Sequence, residues 1–330
     1  MTPTPPTSTR RAIIAMLAGI AFAAAGAAAF AQESTTKPVQ LLVGYAAGGP
    51  LDTVARAFAP ALAEALRQPV VVENRPGASG VIAAQAVARA SVDGRTLILQ
   101  GVTHALLPAF RRDLPYDTAN DFTAVGLVGH GALIAVVPAS VPARTLAEFA
   151  ALAKANAGGW SYASAGSGTS LHVAAELLKR AAGIDLVHVP YKGSAPAIAD
   201  LAAGRVQFMF DIATSAMPLV RSGHLRALAV TGDRRLDELP DVPTVSEAGF
   251  PAANLVTWWG LFGPAGLPAP TVATLNAAIA RAVESAEFAA RLRALGGRAA
   301  SASAAEFDRI VRVDLERFAT IVREAGLRAD

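Results

Sequence analysis

Two glycine-rich stretches carry the clearest chemistry in this 330-residue chain, Tyr45-Ala46-Ala47-Gly48-Gly49-Pro50-Leu51-Asp52 and Ala163-Ser164-Ala165-Gly166-Ser167-Gly168-Thr169-Ser170. Each stands between a β-like run and a helix-like run, where backbone N–H groups and a helix N-terminus favour an anion. Taken alone, either is a plain βα turn, with Asp52 as the N-cap in the first. Taken together, one in each half of the chain, they put two anion-ready surfaces on facing walls of a cleft. Two carboxylates on one ligand fit that arrangement. No Lys follows in the P-loop pattern and no G-x-G-x-x-G can be written here, so a nucleotide cofactor is not expected.

The remaining reactive residues are sparse. His172 and Glu176 lie i, i+4 on a helix, but the H-E-x-x-H arrangement of a zinc site is absent, so a surface or capping pair is expected rather than a metal site. His104 follows the third strand, at the sheet edge where open α/β folds bind ligands; ligand contact and a structural turn both remain open for it. His130, His188 and His224 read as packing or surface residues. There is no Cys, which removes disulfides, thiolate nucleophiles and thiolate-held metals. No G-x-S-x-G occurs, and the many Ser residues show no His and acid partners in sequence, which lowers an enzymatic reading. Trp258-Trp259 reads as a core or interdomain seal, not a nucleic-acid platform.

The elements that must position these residues alternate. Strand 39–45, helix 52–67, strand 70–73, the turn Asn74-Arg75-Pro76-Gly77, helix 78–89 and strand 96–100 form one doubly wound half. Strands 124–128 and 133–137 follow a Pro- and Asp-containing loop. A second series begins at Trp160, with helices 169–180 and 195–203 and strands 186–189, 206–210 and 225–230. After Pro251 the pattern changes to a return strand, 256–262, and two amphipathic helices, 270–295 and 304–325. The expected fold is α/β, two doubly wound lobes around a cleft. The chain would cross between them twice, near 131 and 256, to make a hinge. Lobe 1 is then 32–131 plus 257–330, and lobe 2 is 132–256.

Composition agrees with a globular protein of about two domains, 53% hydrophobic and 17% charged. Residues 1–31 read as a signal peptide: Arg10-Arg11, an apolar run from Ala12 to Phe30, and the A-x-A-like site Ala29-Phe30-Ala31. Thr9-Arg10-Arg11 leaves Sec and twin-Arg export both open. Without Arg10 and Arg11 the 29 basic residues become 27, against 26 acidic, too even a balance for a nucleic-acid partner. No later run is apolar enough to span a membrane. The mature protein is expected to be soluble, periplasmic and monomeric.

A set of motifs then becomes specific: Tyr45-x-x-Gly48-Gly49-x-x-Asp52, Asn74-Arg75-Pro76-Gly77-Ala78-x-Gly80, Tyr162-Ala163-Ser164-x-Gly166-x-Gly168-Thr169-x-x-His172, His188-Val189-Pro190-Tyr191-Lys192-Gly193 and Leu239-Pro240-Asp241-Val242-Pro243-Thr244-x-x-Glu247-Ala248-Gly249. In order and over almost the whole mature chain they resemble the Bug receptors, the periplasmic solute-binding proteins of tripartite tricarboxylate transporters. The resemblance implies a type II periplasmic-binding-protein fold, no catalysis, no cofactor and no metal. It implies a small organic carboxylate as ligand, held largely through backbone amides and bridging waters, and large and small membrane subunits as partners. A sensor kinase in place of the permease is the alternative, and a periplasmic hydrolase or transferase a lesser one. By the same resemblance Tyr45, Gly48, Gly49, Asp52 and Ser79 belong to one wall of the cleft, and Ala165, Ser167, Gly168, Thr169 and His172 to the other. Thr103, His104 and Asp211 join them as cleft residues. Ala46 and Ala47 stand where the family often has Pro, and no Arg or Lys lies within either turn. A carboxylate at Asp52 beside a ligand carboxylate would be unfavourable, so Asp52 is expected to cap its helix.

Overall fold

The computed structural model describes residues 37–327; the signal segment expected over 1–31 lies outside them. The first series of βα steps runs β1 (Val39–Val43), α1 (Pro50–Leu66), β2 (Val70–Asn74), α2 (Val81–Ala88) and β3 (Thr96–Gly101). Helix α3 (Thr103–Phe110) follows directly, then β4 (Phe122–Gly131). The second lobe is built from β5 (Leu133–Pro138), α4 (Leu146–Ala155), β6 (Ser161–Ser164), α5 (Ser170–Ala182), β7 (Val187–Pro190), α6 (Ser194–Ala202), β8 (Phe208–Ile212), α7 (Ala213–Arg221) and β9 (Leu225–Val230). The chain closes with β10 (Thr257–Pro264), α8 (Ala269–Glu284), α9 (Ala286–Ala294), β11 (Gly297–Ala299) and α10 (Ala304–Glu324).

Two sheets result, ordered β11-β4-β10-β3-β1-β2 and β7-β6-β8-β5-β9. In each, the βα units pair in parallel, β1 with β2 and β3, and β6 with β7 and β8. The strands next to the crossings run antiparallel: β10 against β3 and β4, and β5 against β8 and β9. The sheets are therefore mixed, because a strand that enters a sheet from the other lobe arrives without a crossover helix to reverse it. Only Ala132 separates β4 of one sheet from β5 of the other, and the return path runs from Val230 to Thr257.

Every residue of β10 is buried. Trp259 is fully buried against the first crossing, where a Cβ on Gly131 would stand 2.6 Å from the indole ring. Its neighbour Trp258 donates Nε1–H to Asp314 Oδ2 of α10 at 2.8 Å, which satisfies the indole inside the core.

Three helices escaped the sequence pattern. Helices α3, α4 and α7 are short or interrupted by Pro108 and Pro218, so their periodicity is too brief to stand out. The single helix expected over 270–295 is two: Ser285 takes an extended ψ of 124°, and its side chain accepts from Phe288 N–H to begin α9. The apolar spacing runs through that break with no Gly or Pro to mark it.

Candidate functional site

At the β1–α1 turn, Pro50 occupies the first helical position and Gly49, at φ −77°, is the N-cap without a side-chain bond. Asp52 is thus the third helical residue, which corrects its expected capping position. It is 3% exposed, and its carboxylate gathers Gly48 N–H at 2.8 Å, Asn74 Nδ2 at 2.9 Å and Arg56 Nε at 2.9 and 3.0 Å to its two oxygens. Burial works against its charge, but Arg56, the Gly48 amide and Asn74 together outweigh it and hold the carboxyl below its usual range. Asn74 also donates to Tyr45 O at 3.1 Å, so Asp52 and Asn74 together fix the shape of the turn.

At the β6–α5 turn, Thr169 caps the helix, accepting His172 N–H at 3.4 Å and donating to Gly166 O at 2.7 Å. Gly168 N–H donates to His172 Nδ1 at 3.1 Å, so that nitrogen is unprotonated. The His172 ring stacks on His188 at 4.2 Å, and His188 Nε2 meets Ser164 Oγ at 2.7 Å. Glu176 pairs with Tyr162 and Lys179 instead of His172. His172 is thus a support beneath the turn.

The second turn meets the other lobe at the loop before α2 and at the start of α3. Ser79 Oγ donates to Ser167 O at 2.9 Å, and Ser170 N–H donates to Thr103 Oγ1 at 3.2 Å. Ser79 reaches Ser167 from a strained loop: Gly77, Ala78, Ser79 and Gly80 have φ of 140°, 48°, 57° and 92°. Two non-glycine residues at positive φ cost about 1 kcal/mol or more each, and Tyr45, whose hydroxyl donates to Ser79 O at 3.0 Å, pins the loop there. Gly168, at φ 78°, lies so close to α3 that a Cβ would stand 3.0 Å from Leu107 Cδ1.

Between the turns lies a cavity of about 20 Å³ lined by Tyr45, Leu51, Thr103, Ala165, Thr169 and Ser194 among others. That is room for about one water molecule. A larger cavity, about 850 Å³, opens on the other side of the crossings, beside Gly131, Ala132, Thr231 and Val256. Val256 lines that cavity while its neighbour Thr257 lines the small one.

The expected site residues are thus only partly assembled. Tyr45, Thr103, Ala165 and Thr169 line the cavity, Ser79 and Ser167 bond to each other and line a separate cavity of about 480 Å³ with Phe110 and Arg111, and Asp52 and His172 lie behind the turns. The N–H groups of Gly48, Gly49, Gly168 and Thr169 donate to Asp52, Ala46 O, His172 and Gly166 O, so in this arrangement the amides expected to face a ligand are engaged locally. His104 is a correction: its ring packs between Phe122 and Phe262 at 4.8 and 4.7 Å, away from the cavity lining. Neither ring nitrogen has a hydrogen-bond partner, and burial pushes its pKa down to about 3, so it is neutral. Asp211 is fully buried on β8 behind Ser194 and accepts from Ser194 and Ser215. Burial pushes it up to about 6 against the pull of those two hydroxyls. Ser194 and Ser170 were missed, although Ser194 directly follows the Tyr191-Lys192-Gly193 motif. Ser164 and His188 were not expected to meet; Ser164 is fully buried and also accepts Gly166 N–H at 3.1 Å. Among the described residues no group of three His, Asp or Glu is placed to hold a metal, and no helix is long and apolar enough to cross a membrane.

Two α/β lobes, each presenting a glycine-rich turn to the other, define a two-lobed solute-binding protein of the type II periplasmic fold. The profile described as the tripartite tricarboxylate transporter family receptor matches residues 54–327, and the chain belongs to that family. It is 36% identical over 319 residues to the UPF0065 protein in the tcbD-tcbE intergenic region of Pseudomonas sp. (strain P51), covering 96% of this chain and 95% of that one. Two solved structures from Rhodopseudomonas palustris are similar. MatC with bound malate has a TM-score of 0.82 at 34% identity, over 87% of this chain and 99% of that one. A protein solved with adipate has 0.86 at 33%, over 90% and 100%.

Proposed function

We propose that this protein is a periplasmic receptor that captures a small organic carboxylate between its lobes and delivers it to the membrane subunits of a tripartite transporter without transforming it. The observation that carries the reading is a cavity lined by both glycine-rich turns, beside which Ser79 and Thr103 of one lobe bond directly to the second turn, in a member of a transporter-receptor family. The malate and adipate held by the two R. palustris relatives support a carboxylate as the ligand class. Over the described residues the lobes are 37–131 with 257–327, and 132–256, and they hinge near residues 131 and 256. Opening about these points would separate Ser79 from Ser167 and Thr103 from Ser170 and admit a ligand. A ligand that touches both turns favours the closed arrangement over the open one, which is what closure requires.

A thermal-shift screen of the mature protein, stripped of carried-over ligand, tests this. A carboxylate at 100 times its Kd adds about 2.7 kcal/mol, a shift of several degrees. A saturable shift with a carboxylate and none with its neutral amide supports the reading. Shifts with neutral compounds alone, or conversion of the bound carboxylate, would overturn it.

A further inference from the structure

The fold assigns the protons of four hydroxyls around the cavity, those of Ser194, Thr169, Tyr45 and Thr257. Ser194, the first residue of α6 and 1% exposed, lines the cavity and donates its proton to Asp211. Asp211 takes a second hydroxyl from Ser215. With its pKa near 6, this carboxylate is ionised at pH 7.5 and can only accept. Turning the Ser194 hydroxyl toward a ligand would strip a fully buried anion of one of its two hydroxyl donors, a costly exchange. Ser194 therefore offers the cavity lone pairs and no proton. Its neighbours are committed in the same sense: Thr169 donates to Gly166 O, Tyr45 to Ser79 O, and Thr257 to Trp258 O. A ligand carboxylate oxygen facing Ser194 would meet another acceptor, whereas a hydroxyl or ammonium would find a partner.

We infer that Ser194, its proton held by Asp211, is a specificity-determining acceptor for a hydrogen-bond donor on the ligand, so that the preferred carboxylate carries a hydroxyl or ammonium substituent. The inference rests on the carboxylate-receptor reading and narrows it. Ser194 acts by contact with the ligand; Asp211 is a positioning residue that fixes which way the hydroxyl points.

Isothermal titration at pH 7.5 with matched series provides the test: succinate, malate and aspartate; propionate, lactate and alanine; adipate and 2-aminoadipate. In a series that binds, the donor-bearing member is expected to bind about tenfold or more tighter than the unsubstituted one. Malate against aspartate tells hydroxyl from ammonium. Ser194→Ala should bring the members within about threefold of each other by weakening the donor-bearing one. Ser215→Ala, which removes the other hydroxyl on Asp211 from outside the cavity lining, should leave the ranking unchanged. The wild-type ranking needs no variant to fold. Equal or tighter binding of unsubstituted carboxylates, or a donor preference that survives in Ser194→Ala, overturns the inference and leaves the receptor reading standing. Binding of no carboxylate in the panel overturns both.

Discussion

Asp52 and Asp211 are both buried carboxylates at the backs of the two walls, and their surroundings drive them in opposite directions. Asp52 has an Arg, an Asn amide and a backbone N–H, and its pKa is lowered; Asp211 has only neutral partners, the Ser194 and Ser215 hydroxyls and the Ile212 backbone N–H, and burial outweighs them to set its pKa near 6. Replacing Asp52 by Asn puts an NH2 group among donors and should cost about 1–3 kcal/mol of stability, read as a lower Tm, with ligand ranking unchanged. A change of ranking would mean that Asp52 reaches the ligand. For Asp211 the folded pKa lies above the unfolded one, so the protonated form favours the fold. The stability it contributes is fully present below about pH 4 and is lost as pH rises through about 6, up to about 3 kcal/mol. Urea unfolding between pH 4 and 7.5 should show this decline in the wild type, with a correspondingly flatter profile in Asp211→Asn. Equal slopes in the two proteins would contradict the assignment.

At the scale of elements, the decisive piece is the loop before α2. Its four consecutive positive φ values hold Ser79 where its hydroxyl meets Ser167 of the facing turn. Strain and contact can be separated there. Ser79→Ala keeps the strain and removes the interlobe bond, so ligand affinity should fall several-fold with little change in Tm. Ser79→Gly removes both, so affinity should fall while Tm holds or rises by the relief of about 1 kcal/mol. Calorimetric titration and scanning calorimetry on both variants check this; unchanged affinity in both would remove Ser79 from the closing machinery. The loop was legible as a Gly- and Pro-marked turn and as a family motif. That it opens with a short 3-10 turn, and that its serine reaches the other lobe, was not, because positive φ at Ala78 and Ser79 goes against the preference of those residues and is imposed by Tyr45 and Ser167.

For the whole molecule, the lobes are in contact where Ser79 meets Ser167 and Thr103 meets Ser170, with room for about one water between the turns, so ligand entry requires the lobes to part. Thr169 sits at the contact, 1% exposed and lining the cavity. Thr169→Trp should prop the lobes apart, at the further cost of about 1 kcal/mol for the lost helix cap. Small-angle scattering should then give a larger radius of gyration than the wild type, unchanged by a ligand that compacts the wild type. Wild-type compaction and affinity in this variant would place the closing contact elsewhere.

The sequence by itself determined the alternation of strands and helices, the two glycine-rich turns and their place before helices, and the return strand with its Trp pair. These follow from local rules: apolar periodicity, the turn chemistry of Gly and Pro, and motif order. Tertiary structure alone decided where the polar side chains point. His104 looks like a sheet-edge ligand contact because it follows β3, yet a helix begins at Thr103 and turns its ring into Phe122 and Phe262. Asp52 looks like a cap, yet Gly49 takes that position and Arg56 and Asn74 claim the carboxylate. Ser194 and Asp211, seventeen residues apart, meet only because α6 and β8 pack side by side. A proton's direction in a buried network depends on every neighbour at once, and no spacing along a chain encodes it.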